Sequence, residues 1–251
     1  MELARMGRIS ATSAMTLSPH WPAWARRVPD LQAQIDVGLH LDWTSDFAQQ
    51  QGFGASLGQM MVRSLLRALS PAKVKAQINR QLDLFEQHAG ALPDHIDGHQ
   101  HVQQFPVIRD ALIDVLISRY PPSSRPWLRI SSVIAPLWEL KAQIIQAMGA
   151  EALLSLAKRH GIAHSQHLTG IYDFSGSAEN YRQRLREWLT QLPQGAVLMC
   201  HPGSESDPQT PLDQARTREQ HVLSGPALQA LLDQHHIRVV RGKTLFAPPL
   251  T

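Results

Sequence analysis

The sequence predicts an α/β fold in which a mainly parallel sheet is wrapped by helices. Three observations carry this. Short apolar runs of β type alternate with longer segments of 3.6-residue periodicity, an order expected when a strand, a crossover helix and a further strand follow one another. The length of 251 residues lies in the range that α/β barrels fill as one unit. The loop-like stretches, Pro121–Ser124 and Gly203–Pro211, are too short for a domain linker, so residues 1–251 read as one domain.

In chain order the predicted strands are Ile9–Leu17, Ile35–Leu41, His95–Asp97, Trp127–Ile130, Gly170–Tyr172, Ala196–Met199 and Ile237–Val240. Among the helices the clearest signal begins at Ser70-Pro71, a capping residue followed by proline at the first helical position. It carries Val74, Ile78, Leu82 and Phe85 on one face and stops at Gly90. A second helix is expected from Pro106, burying Ile108, Leu112, Val115 and Leu116. A third starts near Ser177, and a fourth at Ser224–Pro226 turns Leu228, Leu231 and Leu232 inward. No internal repeat or low-complexity tract interrupts the series.

Composition narrows the function classes. With 43% hydrophobic and 18% charged residues the chain can bury a substantial core, and no apolar run approaches the roughly 18 residues of a membrane span. The opening Met-Glu-Leu-Ala-Arg-Met-Gly-Arg places charges where a signal peptide needs an apolar segment. The lone cysteine, Cys200, excludes an intramolecular disulfide and a Cys-rich metal site, and the expected compartment is the reducing cytoplasm. A net charge of +3 is small and spread out. Its densest run, Arg182–Arg186, shares a helical pattern with Glu179 and Glu187 and reads as a solvated face, not a nucleic-acid patch. Phosphate-loop motifs are absent. Trp21, Trp24, Trp138 and Trp188 are expected to pack, not to stack on sugars.

The unusual count is 13 histidines. Three predicted strands deliver one or more to their carboxyl ends: His40 in Val37–Asp42, His99 and His101 in Asp94–His101, and His201 after Ala196–Cys200. In a barrel or doubly wound sheet these ends converge on one mouth, where sites are built. If the backbone stays extended, Asp97, His99 and His101 share a face. Neutral imidazoles are metal ligands, so two of them with a carboxylate and open water positions make a hydrolytic metal site. A further histidine outside that set could protonate a leaving group. Cys200 beside His201 does not make a nucleophile pair, because adjacent strand residues point to opposite faces.

At these residues the chain resembles the YdjC-type carbohydrate deacetylases. Val37-Gly38-Leu39-His40-Leu41 resembles the first histidine strand of that family. His95-Ile96-Asp97-Gly98-His99-Gln100-His101-Val102, followed by Phe105-Pro106, resembles its most specific motif, with Gly98 in place of serine. Met199-Cys200-His201-Pro202-Gly203 resembles its late His-Pro-Gly turn. Weaker likeness runs through Gly7–Met15, Trp127–Arg129, Gly170–Phe174 and Arg218–Ile237, covering nearly the whole chain.

The resemblance implies an irregular (β/α) barrel of the NodB-like, glycoside hydrolase/deacetylase type, hydrolysing N-acetyl groups of amino sugars. It implies His40 and His99 as ligands of one divalent metal, His201 as acid or transition-state partner, and Asp97 as the residue orienting a ligand or catalytic group. His101 and Arg129 would line the substrate site. Magnesium is the metal implied, although two imidazoles by themselves suggest zinc. The first strand of that family ends in Ala-Asp-Asp-Phe-Gly and supplies a third ligand and the base. Met1–Ser10 resembles the end of the helix after it, so the first strand is expected to be missing. The resulting strand edge would favour aggregation or a homodimer that hides it. Three rival readings follow: a non-catalytic sugar-binding remnant, another metal-dependent amidohydrolase, and, from the basic balance alone, nucleic-acid binding.

Overall fold

The computed structural model describes residues 1–133, 140–203 and 210–246. Trp138 and most of the loop expected at 203–211 lie outside them. Strands β1 (Ala11–Ala14), β2 (Asp36–Leu41), β3 (His95–Gly98) and β4 (Trp127–Leu128) form a parallel sheet in that order. Ala11 pairs with Asp36, His40 with Asp97, and His95 with Trp127. A parallel bridge from Leu128 to His164 leads toward a second parallel pair, β5 (Leu168–Thr169) with β6 (Val197–Leu198). This is a mixed α/β architecture built on parallel strands, as the alternation predicts.

The strands are shorter than their apolar runs, and two differences have identifiable causes. The strand expected at Gly170–Tyr172 lies two residues earlier. Gly170 adopts φ +87° with the Met199 carbonyl oxygen 2.0 Å from where a Cβ would stand, so the extended run ends there. The run Ile237–Val240 forms no strand. Among the described residues no strand pairs with it, and Val239 and Val240 are 39% and 44% exposed. A β-branched run needs a partner edge before its propensity becomes structure.

Helices cover the sheet. In α1 (Pro71–Ala89) the Ser70 side chain accepts from the Lys73 amide, Pro71 sits in the first turn, and Gly90 ends the helix in the left-handed region. Its buried face holds the predicted Val74, Ile78, Leu82 and Phe85 together with Gln81. Phe85 stacks on Trp21 at 5.2 Å, and truncating so buried an aromatic costs about 3–5 kcal/mol. Helix α2 (Ile108–Arg119) begins two residues after Pro106 because Val107 adopts φ 68°. After α3 (Ala150–Arg159) and the Ser177-capped α4 (Ala178–Gln191) come α5 (Pro211–Ser224) and α6 (Pro226–Gln234).

Leu228 and Leu232 of α6 are buried, whereas Leu231 is only partly so. Trp21 and Trp188 pack as expected, but Trp24 is 55% exposed with Arg27 over its ring. Of the arginines of α4, Arg186 is exposed and the half-exposed Arg182 pairs with Glu179, whereas Arg184 is half-buried over the Tyr172 ring. No helix among the described residues is long and apolar enough to cross a membrane.

Candidate active site

The register of β2 on β3 places the site. Leu39 and Leu41 are fully buried, while His40 between them turns to the other face, half-buried and directly opposite Asp97. The Asp97 carboxylate is almost completely enclosed and accepts three hydrogen bonds. His40 Nδ1 donates to Oδ1 at 2.6 Å, while Arg129 Nη1 and Ser13 Oγ donate to Oδ2 at 2.6 and 3.0 Å. Burial by itself would raise the Asp97 pKa. Arg129 and His40 outweigh it and hold the carboxyl far below the usual range. The consequence for His40 is a fixed tautomer: with Nδ1–H given to Asp97, the Nε2 lone pair points away from it.

Arg129 is 5% exposed and spends Nη2 on the Gly98 carbonyl at 3.1 Å. It borders the cavity and at the same time anchors Asp97. Ser13 gives its one proton to Asp97 and so accepts from His95 Nε2, at 3.0 Å. This contact depends on Gly38, because a Cβ there would lie 2.5 Å from the His95 ring. His95 itself is buried and stacked on Trp127, and burial lowers its pKa.

The chain beyond β3 does not stay extended. Residues His99–Gln104 form a 3-10 turn, with Gln100 at φ 50° and His101 at φ 63°. Asp97, His99 and His101 therefore do not share one strand face. The turn brings His99 against His40, ring centroids 5.7 Å apart and nearly perpendicular. It also sends His101 to Ser131 Oγ, 2.9 Å from Nδ1. Burial, followed by the nearby His40, lowers the His99 pKa.

All six residues singled out in the sequence line one cavity of about 1940 Å³. Asp97 touches His40 and Arg129, and His40 adjoins His99. His101 is held by Ser131. His201 follows β6 with its backbone N–H on Glu219 and its ring edge-on to Phe174 at 5.2 Å. Ser13, His95 and Glu219 join the site without being among the residues expected from the sequence. His95 had a signal, a polar residue opening a buried strand. Ser13 and Glu219 had none. Burial and the neighbouring Glu219 push the Cys200 thiol up to about 12, which removes it as a nucleophile at neutral pH.

Two imidazoles side by side are metal-ligand chemistry. Among the described residues, however, no group of three or more His, Cys, Asp or Glu side chains could hold a metal ion. Among the described residues His40 and His99 adjoin without a third such side chain beside them.

Residues 1–234 match the family described as YdjC-like protein. The chain belongs to that family. Carbohydrate deacetylases of mouse and zebrafish are similar to this YdjC-like chain, at 28% identity over 214 residues and 27% over 226. Each alignment covers 74% of this chain, and 67% and 71% of those proteins, so the chain spans about two thirds of their length. A solved structure from Enterococcus faecalis, described as a cellobiose-phosphate cleavage protein, superposes with a TM-score of 0.72 at 16% identity. That superposition covers 98% of this chain and 91% of the other, and shows that this YdjC-like protein shares its fold.

Proposed function

We propose that this YdjC-like chain is a hydrolase that removes N-acetyl groups from amino sugars or their oligomers. The observation that carries the reading is the His40–Asp97 pair beside His99, on one cavity with His201. In this reaction water adds to the acetyl carbonyl, the C–N bond breaks, acetate departs and the amine takes up a proton. His201 supplies that proton to the leaving nitrogen. Asp97 holds His40 in one tautomer, while His101 and Arg129 border the bound sugar. The strands form an arc of an irregular (β/α) barrel whose carboxyl ends carry these groups. Dependence on one divalent metal, magnesium or zinc, belongs to the proposal, with His40 and His99 as ligands. The described residues leave that donor set incomplete.

The test is acetate release from N-acetylglucosamine and its oligomers, with and without chelator. Release that chelator abolishes and added metal restores is the expected result. No release across a broad amino-sugar panel would sink the reading. The incomplete donor set favours one rival, a sugar-binding protein without turnover. Its signature is binding of the same oligomers, unchanged by chelator, with no acetate formed.

A further inference from the structure

The carboxylate of Glu219 lies on α5, outside the His40–Asp97 network, and it is fully shielded from solvent. Both oxygens are engaged. Oε1 accepts from the Tyr172 hydroxyl at 2.7 Å, and Oε2 accepts the backbone N–H of His201. The preceding residue, Arg218, donates through Nη2 to the Phe174 carbonyl at 2.8 Å. Phe174 in turn packs edge-on against the His201 ring. It does so at φ 63°, a conformation that a bulky side chain keeps only when its surroundings impose it.

Two adjacent residues of one helix thus reach His201 by separate routes, one through its backbone and one through the ring packed on it. β6 ends at Leu198, and Pro202 follows the histidine directly. Burying a carboxylate is costly, and an apolar residue on the inner face of α5 would avoid that cost. The polar choice is explained by what it holds.

We infer that Glu219 is a positioning residue for His201, acting from α5 together with Arg218, and that the two aim the imidazole at the leaving nitrogen. The inference rests on the reading of His201 as proton donor. Two readouts test it in parallel: hydrolysis of N-acetylglucosamine oligomers and the His201 imidazole resonances in a 1H–15N spectrum.

Glu219→Gln keeps the size of the side chain but turns an amide donor toward Tyr172 or His201. A misplacement of this kind lowers kcat about tenfold to a hundredfold. KM stays within about twofold, because ground-state binding is untouched. The His201 resonances shift with the loss of kcat. Tyr172→Phe removes one donor to Glu219 without touching the His201 backbone contact, and leaves both readouts near wild type. Arg218→Met, at a half-exposed position, gives the same pattern as Glu219→Gln and serves if that variant does not fold. Unmoved His201 resonances in folded Glu219→Gln or Arg218→Met overturn the inference, as does an equal loss of kcat in Tyr172→Phe. If the wild type deacetylates nothing, the proposed function falls, while the response of the His201 resonances to Glu219→Gln still decides whether Glu219 holds it.

Discussion

His40 and Asp97 stand opposite one another in the β2–β3 register and share a hydrogen bond of 2.6 Å from Nδ1 to Oδ1. The same carboxylate receives Arg129 and Ser13. Donors from β1, from β2 and from the residue just after β4 therefore converge on one anion of β3, and the orientation of His40 follows from the packing of the sheet.

Asp97→Asn breaks that logic with little change in volume. The asparagine can still accept from Arg129, but it then presents an amide donor to His40, which must give up its Nδ1–H contact. Loss of an orienting carboxylate behind an imidazole costs about 10–100-fold in activity or metal affinity. The expected result is a fall of that size in acetate release from chitooligosaccharides. An Asp97→Asn protein as active as wild type would show that the pair does not serve the reaction.

Arg129→Met strands the Asp97 carboxylate. Both side chains of the pair are 6% exposed, so the cation is removed where water screens the carboxylate poorly. Breaking a buried pair from one side costs about 3–5 kcal/mol, measured as a drop in urea-unfolding free energy at neutral pH. The pH dependence has a definite sign. In the wild type the folded Asp97 pKa is depressed. Its stabilising contribution is complete above the unfolded carboxylate value of about 3.9 and is lost only as pH falls toward the depressed folded value. Without Arg129 that depression shrinks and burial dominates, so the acid-unfolding midpoint moves to higher pH. A midpoint that stays put would mean that Arg129 does not set the Asp97 titration.

Cys200 tests the far side of the site. Burial and Glu219 push its thiol up to about 12, so at pH 8 almost none of it is thiolate. Native protein resists iodoacetamide at pH 8, whereas protein unfolded in urea gains one adduct by mass spectrometry. Rapid labelling of the native protein would place the sulfur in a different environment.

The four strands of the main sheet and the faces of α1 and α2 were legible in the sequence because apolar spacing reports which side of an element is buried. Arg129 was named only through the family resemblance, whereas the placing of His40, Asp97, His99, His101 and His201 on one cavity was legible for the related reason that polar groups at strand ends converge. Two kinds of feature were not. The 3-10 turn at His99–Gln104 depends on left-handed backbone at Gln100 and His101, which no residue type there announces. It is this turn, and not strand alternation, that sets His99 against His40. Ser13 and Glu219 act across gaps of 84 and 18 residues, to Asp97 and His201, and side-chain pairing over such separations leaves no local pattern. The run at Ile237–Val240 failed in the opposite direction, since β propensity without a neighbouring edge produced no strand.

Gly38 offers the sharpest structural test, because its missing side chain is what lets the inner face of the sheet pack. Across from it on β3, His95 lies flat on Trp127, with ring centroids 4.7 Å apart, and contacts Ser13 Oγ. A Cβ at residue 38 would stand 2.5 Å from three atoms of the His95 ring. The ring has no easy retreat, being sandwiched against Trp127, whose Nε1 donates to Asp36 Oδ2 at 3.0 Å. Gly38→Ala therefore forces His95 to move and with it the Ser13 contact to Asp97. Overpacking of this type destabilises by about 1–3 kcal/mol, and the usual gain of replacing glycine in a strand offsets only part of that. The expected readout is a lower urea midpoint at unchanged m-value, with activity reduced through the Asp97 network. If Gly38→Ala is as stable and as active as the wild type, the stacking of His95 on Trp127 does not constrain this face of the sheet.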